Sequence, residues 1–241
     1  MQPLDRIVLA GPDESVEPKL LWECSQRYPF VEWGVLYSPT REGLDRYPGQ
    51  AWREDFMALA QDGTMRTAIH LCGPAVMGWA QREPATWALA EPYERVQLNF
   101  NSQREQWQAT NQLSRLAKAS ADSGKVCVIQ HNRNNTDSVI EGFARLMTPQ
   151  TLHVLYDASG GHGTALTTYL PPWTKDNVSY YTGYAGGIGP DNVVHHALSI
   201  LDLYPTQQFW LDMESAIRTN DCWDHAKVLS VLSQIEELRN S

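Results

Sequence analysis

Three places in this sequence carry polar side chains on strands that would otherwise be apolar. Asp157 closes the run Leu152 to Tyr156, Asp212 and Glu214 alternate with Leu211 and Met213, and Gln97 and Asn99 alternate with Val96 and Leu98. Period two puts each alternating pair on one face of its strand. Carboxyl groups beside amides are the side chains needed to move a proton while holding hydroxyl or carbonyl groups in place. Two glycine-rich turns add a second kind of chemistry. Gly160-Gly161-His162-Gly163 follows Asp157, and Gly186-Gly187-Ile188-Gly189 follows Ala185. Glycines at a strand end let backbone N–H groups converge without Cβ obstruction, and the second turn runs through Pro190 and Asp191 into an amphipathic segment whose dipole favours negative charge. The two turns together read as a seat for an anion such as a phosphate.

Each of these residues also has a plainer reading. Asp157 and Asp212 could cap helices or form turns, as most aspartates after strands do, and Gln97 and Asn99 could simply satisfy each other. His70 and Cys72 alternate with Ile69 and Leu71 and resemble a pair of metal ligands, but no third ligand follows at a set spacing. His195 and His196 read as surface residues within a helix, and Trp33, Trp107, Trp173 and Trp210 as packing.

Positioning such residues requires a series of strands and helices. Apolar runs ended by breakers predict strands at Arg6–Ala10, Val31–Tyr37, Thr67–Leu71, Arg95–Phe100, Lys125–Gln130, Leu152–Tyr156, about Tyr180–Ala185 and Gln208–Met213. Helix-like spacing falls between them at Ser15–Arg27, Trp52–Asp62, after Pro74, Ser102–Ser120, Ser138–Leu146, Pro190–Leu203 and Trp223–Leu238. The expected architecture is eight strands alternating with eight helices, seven of them at these segments. At 241 residues, near-continuous apolar strands imply a parallel sheet covered by helices and closed as one (β/α)8 barrel spanning 1–241. A doubly wound open sheet is the alternative. In a barrel, the polar strand ends meet at the C-terminal mouth.

The chain is 42% hydrophobic and 20% charged, as in globular proteins, and its net charge of -9 argues against a nucleic-acid or anionic-membrane partner. Four cysteines lie far apart without metal or disulfide spacing and read as reduced. No signal peptide or bilayer-length apolar run is evident, so the expected compartment is the cytoplasm. No cofactor and no metal are expected.

The motifs of the second half resemble phosphoribosylanthranilate isomerase, a (β/α)8 barrel family of tryptophan biosynthesis. Val96-Gln97-Leu98-Asn99-Phe100 is similar to the family's strand-four VQLHG. Leu155-Tyr156-Asp157, the following glycine turn and Trp173 are similar to its strand-six segment, and Ala185 to Val193 to its AGGLxPxNV. Asp212 to Arg218 echoes its strand-eight DVSSGVE. The resemblance implies that Gly161, Gly186, Gly187, Ser215 and Ala216 hold a substrate phosphate, and that Asp157 is the general acid. It also implies an arginine facing the substrate after strand two, for which Arg41 and Arg46 are the candidates. Ala10 stands where the family's general-base cysteine belongs, with Asp13 or Cys72 as possible substitutes. Asn99 replaces a histidine and Ala216 a glycine.

The expectation is therefore a barrel enzyme using Asp157 and Asp212 for acid–base chemistry on a small phosphorylated metabolite. Gln97, Asn99, Glu214, Arg41 and Arg46 would bind the substrate, and the reaction would differ from the family's isomerisation. The alternatives are a catalytically inactive barrel that binds a phosphorylated ligand, and a metal-dependent lyase or hydrolase using His70, Cys72, Asp212 and Glu214.

Overall fold

The computed structural model describes residues 3–108, 111–158 and 166–241. Eight parallel strands close into a barrel: β1 (Leu4–Ala10), β2 (Val31–Tyr37), β3 (Arg66–Cys72), β4 (Arg95–Asn99), β5 (Val126–His131), β6 (Leu152–Asp157), β7 (Thr182–Ala185) and β8 (Phe209–Met213). Each pairs in parallel with its sequence neighbours, and β8 returns to β1 with Asp212 opposite Val8. A (β/α)8 barrel is thus the fold, as the strand pattern required. Closure leaves no unpaired sheet edge.

The outer face of the strands carries Ile7, Trp33, Ile69, Val96, Val154 and Leu211, all buried under the helices. Those helices are α1 (Pro18–Arg27), α2 (Gln50–Ala60), α3 (Pro74–Gln81), α4 (Pro84–Ala90), α5 (Glu105–Gln108), α6 (Gln112–Asp122), α7 (Asp137–Ala144), α8 (Val193–Leu203) and α9 (His225–Asn240). α9 is capped by Asp224, whose side chain accepts from the Lys227 N–H.

The alternation departs from the expected pattern in three places. The helix expected at Ser102–Ser120 is two, α5 and α6, separated at Asn111 in the left-handed region (φ +69°). The crossover after β3 is likewise two short helices, broken at Arg82 (φ +58°). Between β6 and β7 the described residues form no helix. Pro171 and Pro172 oppose one, and the segment instead makes a hairpin of Thr174–Lys175 and Val178–Ser179. His196 is also not at the surface: it is buried, with Nδ1 2.8 Å from the Tyr169 hydroxyl. No helix among the described residues is long and apolar enough to cross a membrane.

Candidate functional site

The inward residues of the strands form layers. The lowest is ionic: Glu32 on β2 receives Arg95 from β4 and Arg6 from β1, and Arg95 Nη1 lies 3.2 Å from His153 Nδ1. Arginine has only donors, so His153 Nδ1 accepts and carries no proton. Above lies Trp210, with the Arg95 guanidinium 4.8 Å from its ring, packed with Val8, Val128, Leu155 and Ala185. Gly183 makes room for this tryptophan, because a Cβ there would run into the indole. The floor beneath the mouth is therefore filled.

Over this floor opens a cavity of about 1060 Å³ at the C-terminal ends of the strands. Gln97, Asn99, Asp157, Asp212, Glu214, Arg41, Arg46, Gly186, Gly187, Ser215 and Ala216 all line it. The fold thus brings these expected site residues together. The first glycine turn, Gly160-Gly161-His162-Gly163, lies outside the described residues.

Asp157 and Asp212 are each in register with Ala185, from β6 and β8 on either side of β7. With strands about 4.8 Å apart, their backbones stand roughly 10 Å from each other, and the small Ala185 leaves space between the carboxyl groups. Asp212 is 7% exposed, and its Oδ2 has no hydrogen-bond partner among the described residues. Burial pushes its pKa well above the usual carboxylate range, with Glu214, Asp157 and Glu32 adding to the shift and Arg95 opposing it. Burial therefore favours the protonated form of Asp212. Asp157 is buried as well, with Gln130 Nε2 3.5 Å from its Oδ2.

On the β3–β4 side the polar groups are neutral. Gln97 Nε2 donates to Asn99 Oδ1 (3.0 Å), and Asn99 Nδ2 donates to Cys72 Sγ (3.4 Å). Burial lifts the Cys72 thiol to about 11 and the Tyr47 hydroxyl to about 12, so both stay protonated. His70 and Cys72 both line the cavity, but among the described residues no three His, Cys, Asp or Glu side chains converge as metal ligands.

The opposite rim is charged. Arg46 reaches from the β2–α2 loop to Glu214 (2.6 Å), Ser215 Oγ (3.0 Å) and Asp221 (2.6 Å), while its backbone N–H donates to Asp13 Oδ2 (2.7 Å). Asp13, a possible substitute for the missing base, is itself paired with the buried Arg218 and sits away from the cavity lining. Arg41 stacks on Tyr47 at 5.4 Å and makes no ion pair among the described residues, which leaves its charge facing the mouth.

Two of the turns that the resemblance implies for phosphate, the one after β7 and the one at Ser215-Ala216, lie against each other. Gly186 (φ +127°) and Gly187 (φ +63°) turn the chain after β7, and the turn is fastened by the Gly189 N–H donating to Asn192 Oδ1 (2.8 Å) and Asn192 Nδ2 donating to the Gly187 carbonyl (3.0 Å). A Cβ at Gly189 would stand 2.5 Å from the Ala216 Cβ in the 3-10 turn Ser215–Ile217. Glycine at 189 thus permits the close approach of the two turns.

Sequence reasoning missed the ionic layer and the Arg46 contacts. Arg6, Glu32 and Arg95 do occupy inward positions by period two, which was the available signal.

No protein-family model matches the chain, and no curated protein sequence matches it. Among solved structures, the chain is similar to phospho-2-dehydro-3-deoxyheptonate aldolase (DAHP synthase) from Thermotoga maritima, with a TM-score of 0.56 and 13% identity over 98% of this chain and 69% of that one. It is also similar to a GH113 β-1,4-mannanase, with a TM-score of 0.57 and 8% identity over the whole of both chains. At such identities the likeness establishes the barrel fold and nothing about the reaction.

Proposed function

We propose that this barrel is an enzyme that acts by acid–base chemistry on a small phosphorylated metabolite of the sugar-phosphate type. The observation that carries the reading is the buried Asp212, whose Oδ2 has no partner among the described residues and whose surroundings favour its protonated form, at one height with Asp157 on the other side of β7. One carboxyl group able to give a proton and another able to take one is the minimum for moving a proton between neighbouring atoms of a hydroxylated substrate. Asp212 gives its proton to a substrate oxygen as electrons shift toward it, and Asp157 takes the proton released from the adjacent atom. Gln130, beside Asp157, orients that carboxylate. Gln97 and Asn99 hold hydroxyl groups, and Glu214 and Arg46 border the charged side.

The turns at Gly186-Gly187 and Ser215-Ala216 are the proposed phosphate seat, with Arg41 as a cation lining the same cavity. Binding energy gained there positions the reacting end. The motifs resemble phosphoribosylanthranilate isomerase in the place of Asp157 and of the turns. Ala10 has no proton to exchange, so the proposed reaction differs from that family's and assigns the acid role to Asp212 rather than Asp157.

The test is a calorimetric and thermal-shift panel of sugar phosphates, their dephosphorylated counterparts and inorganic phosphate, with turnover followed for each binder. A ligand at 100 times its Kd should add about 2.7 kcal/mol to stability. Gly187→Asp should abolish binding of the phosphorylated compounds; aspartate tolerates positive φ better than most residues, so the turn survives. Asp157→Asn and Asp212→Asn should still bind while turnover falls by about 100-fold or more. Equal binding of dephosphorylated compounds would overturn the phosphate assignment, and undiminished turnover in both variants would overturn the acid–base assignment.

A further inference from the structure

At the base of the cavity stands a side chain that the acid–base pair does not use. His70 points inward from β3, is 2% exposed, and still lines the cavity. Its carbonyl accepts a bond from Cys72 Sγ, but its ring nitrogens have no hydrogen-bond partner among the described residues. The groups around it do not supply one. Gln97, level with it on β4, turns its amide toward Asn99, and Leu36, level with it on β2, is apolar. Below, Glu32 is engaged by Arg6 and Arg95.

The position of the ring is built into the neighbouring strand. A Cβ at Gly34 would stand 2.6 Å from His70 Nε2 and 3.2 Å from the Ala10 Cβ. Only a residue without a side chain at 34 lets the imidazole lie where it does. Burial lowers the His70 pKa to about 4, with Arg95 adding to the shift and Glu32 opposing it. The ring is neutral at physiological pH, with one nitrogen donating and the other accepting. Asp212, which lines the same cavity, has an Oδ2 with no partner among the described residues, and burial favours its protonated form. The floor of the cavity therefore offers unused hydrogen bonds and no unpaired arginine.

We infer that His70 contacts the ligand, and that it takes an uncharged oxygen-bearing end, a hydroxyl or carbonyl group, at the floor of the cavity. The anionic end then stays at the mouth beside Gly187 and Arg41. That second half rests on the proposed function; the assignment of His70 does not. The ligand class that fits both ends is a hydroxycarbonyl or polyol phosphate. A second carboxylate or phosphate at the far end would meet no cation on this floor, because Arg6 and Arg95 are committed to Glu32.

Imidazole 15N NMR tests this, with the His70 signals identified by their absence in His70→Gln. Dihydroxyacetone, which has no phosphate, should move the His70 ring resonances. In calorimetry, dihydroxyacetone phosphate should bind wild type about 10-fold more tightly than propyl phosphate, which lacks the oxygens. His70→Phe should erase that preference without altering the affinity for inorganic phosphate. His70→Gln, which keeps a donor and an acceptor, should retain part of it and serves in place of the Phe variant if that variant does not fold. The inference is overturned if dihydroxyacetone leaves the His70 resonances unmoved, or if the preference survives in His70→Phe. Resonances that move with dihydroxyacetone while no phosphate compound binds would sink the phosphate seat and leave the His70 assignment standing.

Discussion

Asp157 and Asp212 stand at one height in the barrel, each in register with Ala185 on the strand between them. Their surroundings differ. Asp157 has an amide donor 3.5 Å away, whereas Asp212 has an oxygen with no partner among the described residues, over a floor whose cation is already engaged by Glu32. In the proposed reaction, this contrast between two carboxyl groups facing one cavity sets the direction of proton transfer.

The proton on Asp212 should be visible in stability. Its pKa is raised in the folded state above the unfolded value near 3.8. Between those two values the folded chain holds a proton that the unfolded chain has released, so stability falls as pH rises. The contribution is full below about 3.8 and is lost as pH passes the folded value. Asp212→Asn removes this dependence. Melting curves across a pH series should show the variant gaining on wild type steadily as pH rises above 4, and parallel curves would mean that Asp212 is ionised throughout.

Removing Glu32 should destabilise the barrel strongly. Glu32→Gln leaves the Arg6 and Arg95 guanidinium groups buried with no carboxylate between them. Breaking a buried ion pair from one side costs about 3–5 kcal/mol, measurable by urea denaturation. In wild type, burial raises the Glu32 pKa but Arg95 and Arg6 outweigh it, and the net shift is downward. That stabilisation is present above the unfolded value near 4.5 and lost as pH falls through the folded one. Acid unfolding of Glu32→Gln should therefore be less steep than that of wild type.

Gly183 and Trp210 should behave as one unit. Gly183→Ala places a methyl in the space of the indole and should cost roughly 1–3 kcal/mol or more. In a Trp210→Leu background the same substitution should cost clearly less, because the clash is gone. Additive effects in the double-mutant cycle would show that Gly183 serves something other than the ring.

Arg46 separates backbone from side-chain effects. Its φ of +72° lies in the left-handed region, and its ion pairs with Glu214 and Asp221 are partly exposed. Exposed pairs contribute at most about 1 kcal/mol each. Both Arg46→Ala and Arg46→Gly lose them, but glycine accepts positive φ freely, so the Gly variant should be about 1 kcal/mol more stable than the Ala variant. Chemical denaturation of the two variants side by side would settle the difference.

The barrel was legible because its signals are local. Apolar runs such as Val31–Tyr37 and breakers such as Cys72-Gly73-Pro74 announce strands and their ends within a few residues. The same holds for the polar strand ends, where period two alone places Asp212 and Glu214, or Gln97 and Asn99, on the cavity face. What escaped depends on distant partners. Arg95 meets Glu32 across 63 positions of sequence and Arg46 meets Glu214 across 168, and neither spacing leaves a pattern to read. Arg6 and Arg95 stand near the starts of their strands and period two points them inward, but nothing local names Glu32 as their shared partner. The break at Asn111 was hidden inside good helix formers, and His196 was placed outside because the partner that buries it, Tyr169, comes from the irregular segment before β7.

The filled layers beneath the cavity make the barrel a cul-de-sac. Arg6, Glu32, Arg95 and His153 with Trp210 above them leave no way through, so whatever enters by the mouth must back out by it. A polymer could lie across the mouth but could not be threaded through. The end of a bound molecule that goes in first comes out last.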